Sequence, residues 1–314
     1  MDAARNRLRV TALAGGTGAA KLIRGLAATR GQPDLTIVGN TGDDAEVWGL
    51  HVSPDLDTVI YALAGVLDVT RGWGRSDESF RCLEAMASLG AETWFNLGDR
   101  DLATHLVRTR ALRQGQPLSG VTAAIARSLG VTARILPMSD DPVRTRLRTP
   151  DGWLTFQEYF VRDKTLVEVL DVEYEGAPRA RPAPGVVEAL RDTDLVVVCP
   201  SNPVTSIGPL LAVPGVLDAL STTRAPVVAV SPIVGTAAVS GPAADLMRAR
   251  GLDVSPGGVA AAYAPWLRTL VLDRRDAGDA PAIARRGVTP VLTDILMTDR
   301  HSEIALARAV LGLV

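Results

Sequence analysis

Glycines, carboxylates and amides recur in this chain at spacings that suit the handling of phosphate. The turn Gly15-Gly16-Thr17-Gly18 follows the apolar run Val10 to Ala14, and Lys21 comes in the next helical turn. Such a turn presents bare backbone N–H groups and the positive end of a helix dipole, where phosphate binds. It is not the dinucleotide fingerprint G-x-G-x-x-G, because Lys21 holds the third glycine position, nor a Walker A loop, since no Gly-Lys-Ser/Thr follows. A glycine turn that only joins a strand to a helix is the competing account. Acidic and amide side chains recur at Asn40-Thr41-Gly42-Asp43-Asp44, Asp55-Leu56-Asp57, Asn96-Leu97-Gly98-Asp99-Arg100-Asp101 and Ser139-Asp140-Asp141.

Those residues need a scaffold, and the apolar runs supply one. Val10 to Ala14 and Leu35 to Gly39 read as buried strands, with a helix between them carrying Leu22, Ile23 and Leu26 on one face. Ser53 as N-cap and Pro54 at the first helical position open the next helix, with Leu56, Val59, Ile60, Leu63 and Leu67 as its buried stripe. Asp55 also suits the dipole of that helix; Asp57 lies just off the stripe. Strands are expected near Glu92 to Phe95 and Val131 to Leu136, and Ser119 is expected to cap the helix between them. From Val143 the rhythm becomes antiparallel: Val143 to Arg148, Gly152 to Phe160 and Leu166 to Val172 alternate as strands, followed by a proline-rich link Pro178 to Pro184. The α/β rhythm then resumes with Asp194 to Cys199 running into Pro200-Ser201-Asn202-Pro203. Pro226 to Ser231, Leu252 to Val254, Thr269 to Leu272 and Val288 to Leu292 are the later strands.

This pattern implies an α/β chain with a mostly parallel sheet, helices on both faces and a smaller inserted antiparallel subdomain. The core is expected over 1–142 and 186–314, with 143–185 as the β-rich insertion. Strand ends that gather polar residues on one edge mark the place where open α/β sheets hold ligands. A net charge of −2 across 314 residues leaves no footprint for nucleic acid or an anionic membrane. Only the tip Met1 to Arg9 is locally basic, and it reads as a solvated tail. The apolar runs are strand length, far short of a bilayer span, and no secretory signal precedes the first strand. Cys82 and Cys199 lack C-x-x-C spacing and read as small buried hydrophobes, which fits a reducing cytoplasm.

Taken together, Gly15-Gly16-Thr17-Gly18, Asn40 to Asp44, Ser53 to Thr58, Leu97 to Asp101, Leu136 to Pro142, Pro200 to Pro203 and Ser206 to Pro209 resemble the CofD/FbiA family. These are the 2-phospho-L-lactate transferases of coenzyme F420 biosynthesis, and the similarity runs from the first strand to Asp299. The resemblance implies a Rossmann-like, dimeric, magnesium-dependent enzyme. Its donor is a guanosine-diphosphate-activated three-carbon acid, phospholactate or phosphoenolpyruvate; its acceptor is the ribityl hydroxyl of the deazaflavin Fo. The products are F420-0, or its dehydro form, and GMP.

Phosphoryl transfer asks a protein for positioning and charge neutralisation. Asp44 and Asp57, from different loops, are the expected Mg2+ ligands, with Asp43 and Asp55 able to substitute. Either Asp57 or Asp99 takes the proton of the attacking hydroxyl, a contribution of ~10²–10⁴-fold. By the resemblance, Asp57 and Asn96 lie at Fo; Arg100 is a further candidate there, equally suited to clamping a phosphate or to a plain ion pair with Asp99. The guanosine diphosphate end is expected over Gly15, Gly16, Thr17 and Gly18, facing Ser201, Asn202 and Ser206. His105 reads as a structural histidine, His301 as surface, and His51 stands close enough to the Asp55/Asp57 helix to draw attention. Trp73 either stacks on a ligand ring or anchors its own loop. Lys21 suits helix packing as well as phosphate.

Two other classes share parts of this pattern. YvcK-like nucleotide-sugar-binding regulators share a glycine loop and an Asp-Asp strand end, but here Ala45-Glu46-Val47-Trp48-Gly49-Leu50 stands where those carry a glycine- and serine-rich run. An NAD-dependent oxidoreductase, with Asp43 or Asp44 as the ribose acid, would need the third glycine that Lys21 replaces here. On these grounds Asp57→Asn is expected to abolish transfer and leave the fold intact.

Overall fold

The apolar runs that bound the polar loops become parallel strands because both of their faces are covered. The computed structural model describes residues 7–314, so most of the basic tip Met1 to Arg9 lies outside the described residues. In chain order, β1 (Arg9–Ala14) and β2 (Asp34–Gly39) precede a hairpin of β3 (Ala45–Val47) and β4 (Leu50–Val52). Next come β5 (Arg134–Pro137) and the antiparallel trio β6 (Arg144–Thr149), β7 (Gly152–Thr155) and β8 (Asp171–Glu175). The chain then forms β9 (Leu195–Val198), β10 (Val227–Val230), a second hairpin of β11 (Ile233–Val234) and β12 (Ala237–Ala238), β13 (Thr269–Asp273) and β14 (Thr289–Thr293). A seven-stranded sheet runs β14-β13-β10-β9-β1-β2-β5, with every neighbouring pair parallel.

Alternate residues of each strand enter opposite cores. Leu13, Val196, Val198 and Ala229 join one apolar cluster, with helices Val186–Arg191, Val216–Thr222 and Pro256–Tyr263. Val10, Ala12, Val197 and Val228 join the other, with helices Gly16–Ala27, Pro54–Ala64, Leu118–Ser128 and Arg300–Leu311. Burial on both faces explains why the strands read as unbroken apolar runs. The expected α/β fold with a parallel sheet between two helical layers is the fold observed. Leu147, Tyr159 and Val172 of the antiparallel segment pack into the first cluster.

Several local expectations are corrected. Glu92 to Phe95 is not a strand: it has no neighbour to pair with, and its Glu92 carbonyl instead accepts from the Trp48 indole at 3.0 Å. Leu252 to Val254 is the short link between helix Ala243–Ala249 and the Ser255 cap of the next helix. The strand expected over Gly152 to Phe160 stops at Thr155, where Glu158 turns the chain by accepting from the Thr155 amide and hydroxyl. Ser119 lies inside its helix and gives its amide and hydroxyl to Asp140, which serves that helix end from outside. Cys199 is buried but Cys82 is only partly so. Among the described residues no single helix is long and apolar enough to cross a bilayer.

Helices Gly16–Ala27 and Arg300–Leu311 meet where Gly25 has no side chain, since a Cβ there would overlap the Glu303 carbonyl. Arg24 beside it pairs with Glu303, which is buried. Gly25→Ala is therefore expected to cost about 1–3 kcal/mol through forced separation of the helices. Gly120→Ala, at an exposed helical position where a Cβ meets only ordinary contacts, should stabilise by about 0.5 kcal/mol. Urea melts of the two variants check the contrast.

Candidate functional site

At β1 the sheet order reverses: β1 leads to β2 and β5 on one side, while β9, β10, β13 and β14 lie on the other. The loops leaving the carboxyl ends of β1 and β9 thus part from one another, which is where open α/β sheets form their crevice. A cavity of about 680 Å³ lies there. That volume suits a ligand of cofactor size. Its walls come from the glycine turn, from Asp43, Asp55 and Asp57, from the Arg71–Gly74 loop, from Ser201 to Ser206, and from Phe156, Gln157 and Phe160 of the antiparallel segment.

The glycine turn is shaped by its neighbours as much as by any ligand. Gly16 has φ +73°, which a side chain would strain. A Cβ on Gly15 would lie 2.5 Å from the Ser206 Cβ, and one on Gly18 would lie 2.5 Å from the Pro200 carbonyl oxygen. Two amides of the turn are already used: Gly15 N–H donates to the Ser201 hydroxyl at 3.3 Å and Gly16 N–H to Asp55 Oδ1 at 2.7 Å. The Ser201 hydroxyl in turn donates to the Gly15 carbonyl. Thr17 and Gly18, in the first turn of helix Gly16–Ala27, are left with N–H groups that have no intrahelical acceptor. Lys21 lines the same wall, its Nζ resting on the Met297 carbonyl at 3.1 Å.

Opposite these donors stands a set of buried acids that differ in how their charge is met. Asp57 is held by both terminal guanidinium nitrogens of Arg108, a side chain 0% exposed. Asp55 accepts from Gly16 and, through Oδ2, from Asn40 at 2.9 Å. Burial nevertheless pushes its pKa up to about 6, those hydrogen bonds pulling it partly back. Asp43 has no cation; burial, then the charges of Asp55 and Asp44, raise its pKa well above the carboxylate range. Its Oδ1, like that of Asp44, is buried without a partner. Asp44 Oδ2 accepts from Ser53 Oγ and meets His51 Nε2, both at 2.9 Å. Ser53 thus caps its helix by position only and spends its hydroxyl on Asp44.

Among the described residues no three His, Cys, Asp or Glu side chains close around a metal. Buried acid oxygens without partners, Oδ1 of Asp43 and of Asp44, fit magnesium all the same, because that ion is held by one or two carboxylates and otherwise by water and phosphate.

Of the residues expected at the site, Gly15, Gly16, Thr17, Gly18, Asp57, Asn96, Ser201, Asn202 and Ser206 line this one cavity. Asn202 Oδ1 accepts from the Val204 and Thr205 amides, which leaves its buried Nδ2 without a partner. Three of the expected residues do not line it. Asp99 is outside the cavity: the Ser79 hydroxyl and the Cys82 and Arg81 amides hold its carboxylate below the usual range and make it the cap of helix Arg81–Ser88. Arg100 is exposed, with its Nη1 on the Ser76 carbonyl rather than on a ligand or on Asp99. Asp44 sits behind the wall, while Asp43 and Asp55 line it.

The sequence reading missed Arg71, Asp101, Arg108 and Gln157. Arg71 lines the cavity and lies over the rings of Trp73 and Phe80, at 5.5 and 5.0 Å from their centroids. Asp101, His105 and Arg108 share the buried face of helix Asp99–Arg113. Their i, i+4 and i+3 spacing was visible, but only the fold says that this polar face points inward.

A family model described as 2-phospho-L-lactate transferase CofD matches residues 10–307. A phosphoenolpyruvate transferase of Streptomyces griseus is 44% identical over 312 residues, covering 98% of each chain. A 2-phospho-L-lactate transferase of Methanosarcina acetivorans is 44% identical over 301 residues, covering 96% of this chain and 97% of the relative. A crystal structure of a UPF0052 family member from Bacillus halodurans superposes with a TM-score of 0.65 at 18% identity, covering 98% of this chain and 99% of that one, a likeness of fold.

The raised values of Asp43 and Asp55 have a defined sign. The folded chain binds protons more tightly than the unfolded one, so metal-free stability should fall as pH rises from the ordinary carboxylate range through about 6. Asp43→Asn should flatten that fall and raise the melting temperature at pH 8, by about 2–4 °C for each kcal/mol regained. Thermal melts in chelator at pH 4 and pH 8 check it; identical profiles for both proteins would sink the assignment.

Proposed function

This chain belongs to the CofD family of 2-phospho-L-lactate transferases, and we propose that its cavity joins a guanosine-diphosphate-activated three-carbon acid to the ribityl hydroxyl of Fo. The acid is 2-phospho-L-lactate or phosphoenolpyruvate, and the product is coenzyme F420-0 or dehydro-F420-0. One observation carries the reading: a glycine turn with free amides faces buried acids that lack a counter-charge, in a single cavity at the sheet's switch point.

In the reaction, the acceptor oxygen bonds to the phosphorus that carries the three-carbon acid. The bond from that phosphorus to the bridging oxygen of the guanosine half breaks, and GMP leaves. The Thr17 and Gly18 amides with Lys21 hold the phosphates, while Ser201, Asn202 and Ser206 border the guanosine end. Asp57, oriented by Arg108, takes the hydroxyl proton; a carboxylate suffices because such transition states demand little of a base. Asp43 and Asp55, with Asp44 behind them, are the residues that would hold magnesium, which when bound supplies neutralisation of phosphate charge. We propose a cytoplasmic homodimer acting on small molecules, with no nucleic-acid or membrane partner.

Incubation with Fo, Mg2+ and separately prepared phospholactyl, enolpyruvyl and phosphoglyceryl guanosine-diphosphate donors, followed by product mass, tests this. Product from at least one donor, stopped by chelator, is expected. Thermal stabilisation by UDP-N-acetylglucosamine or NAD(H), with no turnover of Fo, would overturn it. Asp57→Asn should lower transfer by ~10²–10⁴-fold. It should also destabilise by about 3–5 kcal/mol, because Arg108 stays buried without its carboxylate. The earlier expectation of an intact fold is thereby revised, and a melt beside the assay separates the two effects.

A further inference from the structure

The buried face of helix Asp99–Arg113 carries an imidazole N–H that meets no acceptor in hydrogen-bonding geometry. Arg108 Nη1 donates to Asp57 Oδ2 at 2.9 Å and to His105 Nδ1 at 3.1 Å. A guanidinium carries donors only, so Nδ1 is the acceptor and the ring proton sits on Nε2. That Nε2 is buried without a partner, on a residue 1% exposed that lines the cavity. The nearest acid oxygen, Asp101 Oδ1, is 3.3 Å away outside hydrogen-bonding geometry, and it already accepts from the Tyr61 hydroxyl at 2.7 Å. A buried donor left unpaired bears its full desolvation cost, so its retention on a cavity wall points to a ligand oxygen that completes it.

The surroundings say which kind of oxygen. His105 Nδ1 lies 3.7 Å from Asp57 Oδ2, and Asp57, Asp101 and Tyr61 line the cavity beside it. The Asp101 carboxylate, 3.3 Å from Nε2, disfavours a phosphate or a carboxylate there. A neutral hydroxyl suits all three groups, since it accepts from Nε2–H while its own proton goes to an acid oxygen. Resting on the acceptor assignment above, we infer that His105, locked in one tautomer by Arg108, donates to a hydroxyl of the acceptor's polyol chain and so helps select a hydroxylated acceptor.

His105→Phe removes the donor and leaves Arg108 on Asp57; His105→Gln restores a terminal N–H. Calorimetric titration of the full chain with Fo, and with a deazaflavin carrying a methyl group in place of the ribityl chain, reads the effect. Melts confirm that each variant is folded, and KM is measured for acceptor and donor separately. For His105→Phe we expect Fo binding to weaken about tenfold, the methyl analogue to bind as to wild type, and donor KM to hold. His105→Gln should recover most of the loss. Equal weakening of both deazaflavins, an unchanged Fo affinity, or a change confined to donor KM overturns the inference alone. Failure of the wild-type chain to bind Fo overturns the acceptor assignment and this inference with it.

Discussion

Where β1 and β9 part, the backbone of Gly18 comes so near the Pro200 carbonyl that a methyl group would lie 2.5 Å from its oxygen, and Gly15 is pressed as closely by Ser206. The two loops therefore meet backbone to backbone. Ser201 bonds to both the amide and the carbonyl of Gly15, and Asn40 ties the same junction to the end of β2 by donating to Asp55 and to the Thr205 carbonyl. Three strand ends are thereby locked together at one point. The cavity exists because these loops, once joined at their base, diverge above it.

That junction carries a graded electrostatic load. Asp57 has a full counter-ion in Arg108, Asp55 has hydrogen bonds, and Asp43 has a buried oxygen with nothing. A core selected for stability alone would not keep the last of these. Conflict between folding and placement of charge is what a functional site shows and a core does not, and it is concentrated where the sheet order reverses.

The sheet and its helices were legible in the sequence because strands covered on both faces read as uninterrupted apolar runs, as in Leu195 to Val198. The cavity-lining glycines and the Ser201-Asn202 pair were legible because they follow strand ends directly, and Asp57 because it lies just off the buried stripe of its helix. Asp99 and Arg100 misled, since an acid at a helix start looks alike whether it faces a ligand or caps a neighbouring helix; only the position of Ser79 and the Cys82 amide distinguishes them. Arg108 was invisible as a partner of Asp57, because a contact across 51 residues leaves no local pattern. The ranking of Asp43 and Asp55 over Asp44 likewise depends on which acids find partners. Spacing alone does not show this.

The antiparallel segment contributes Phe156, Gln157 and Phe160 to the cavity, and Gln157 holds the Asp43 carbonyl at 3.0 Å, while Leu147, Tyr159 and Val172 are anchored in the apolar layer beneath the sheet. Its inner side is thus structural and its outer edge borders the cavity. A segment built this way can vary in the aromatic rim it offers while its anchors stay constant. The fold consequently has two separable halves of recognition: a rigid floor of strand ends for charge, and an appended wall whose shape can change without touching them.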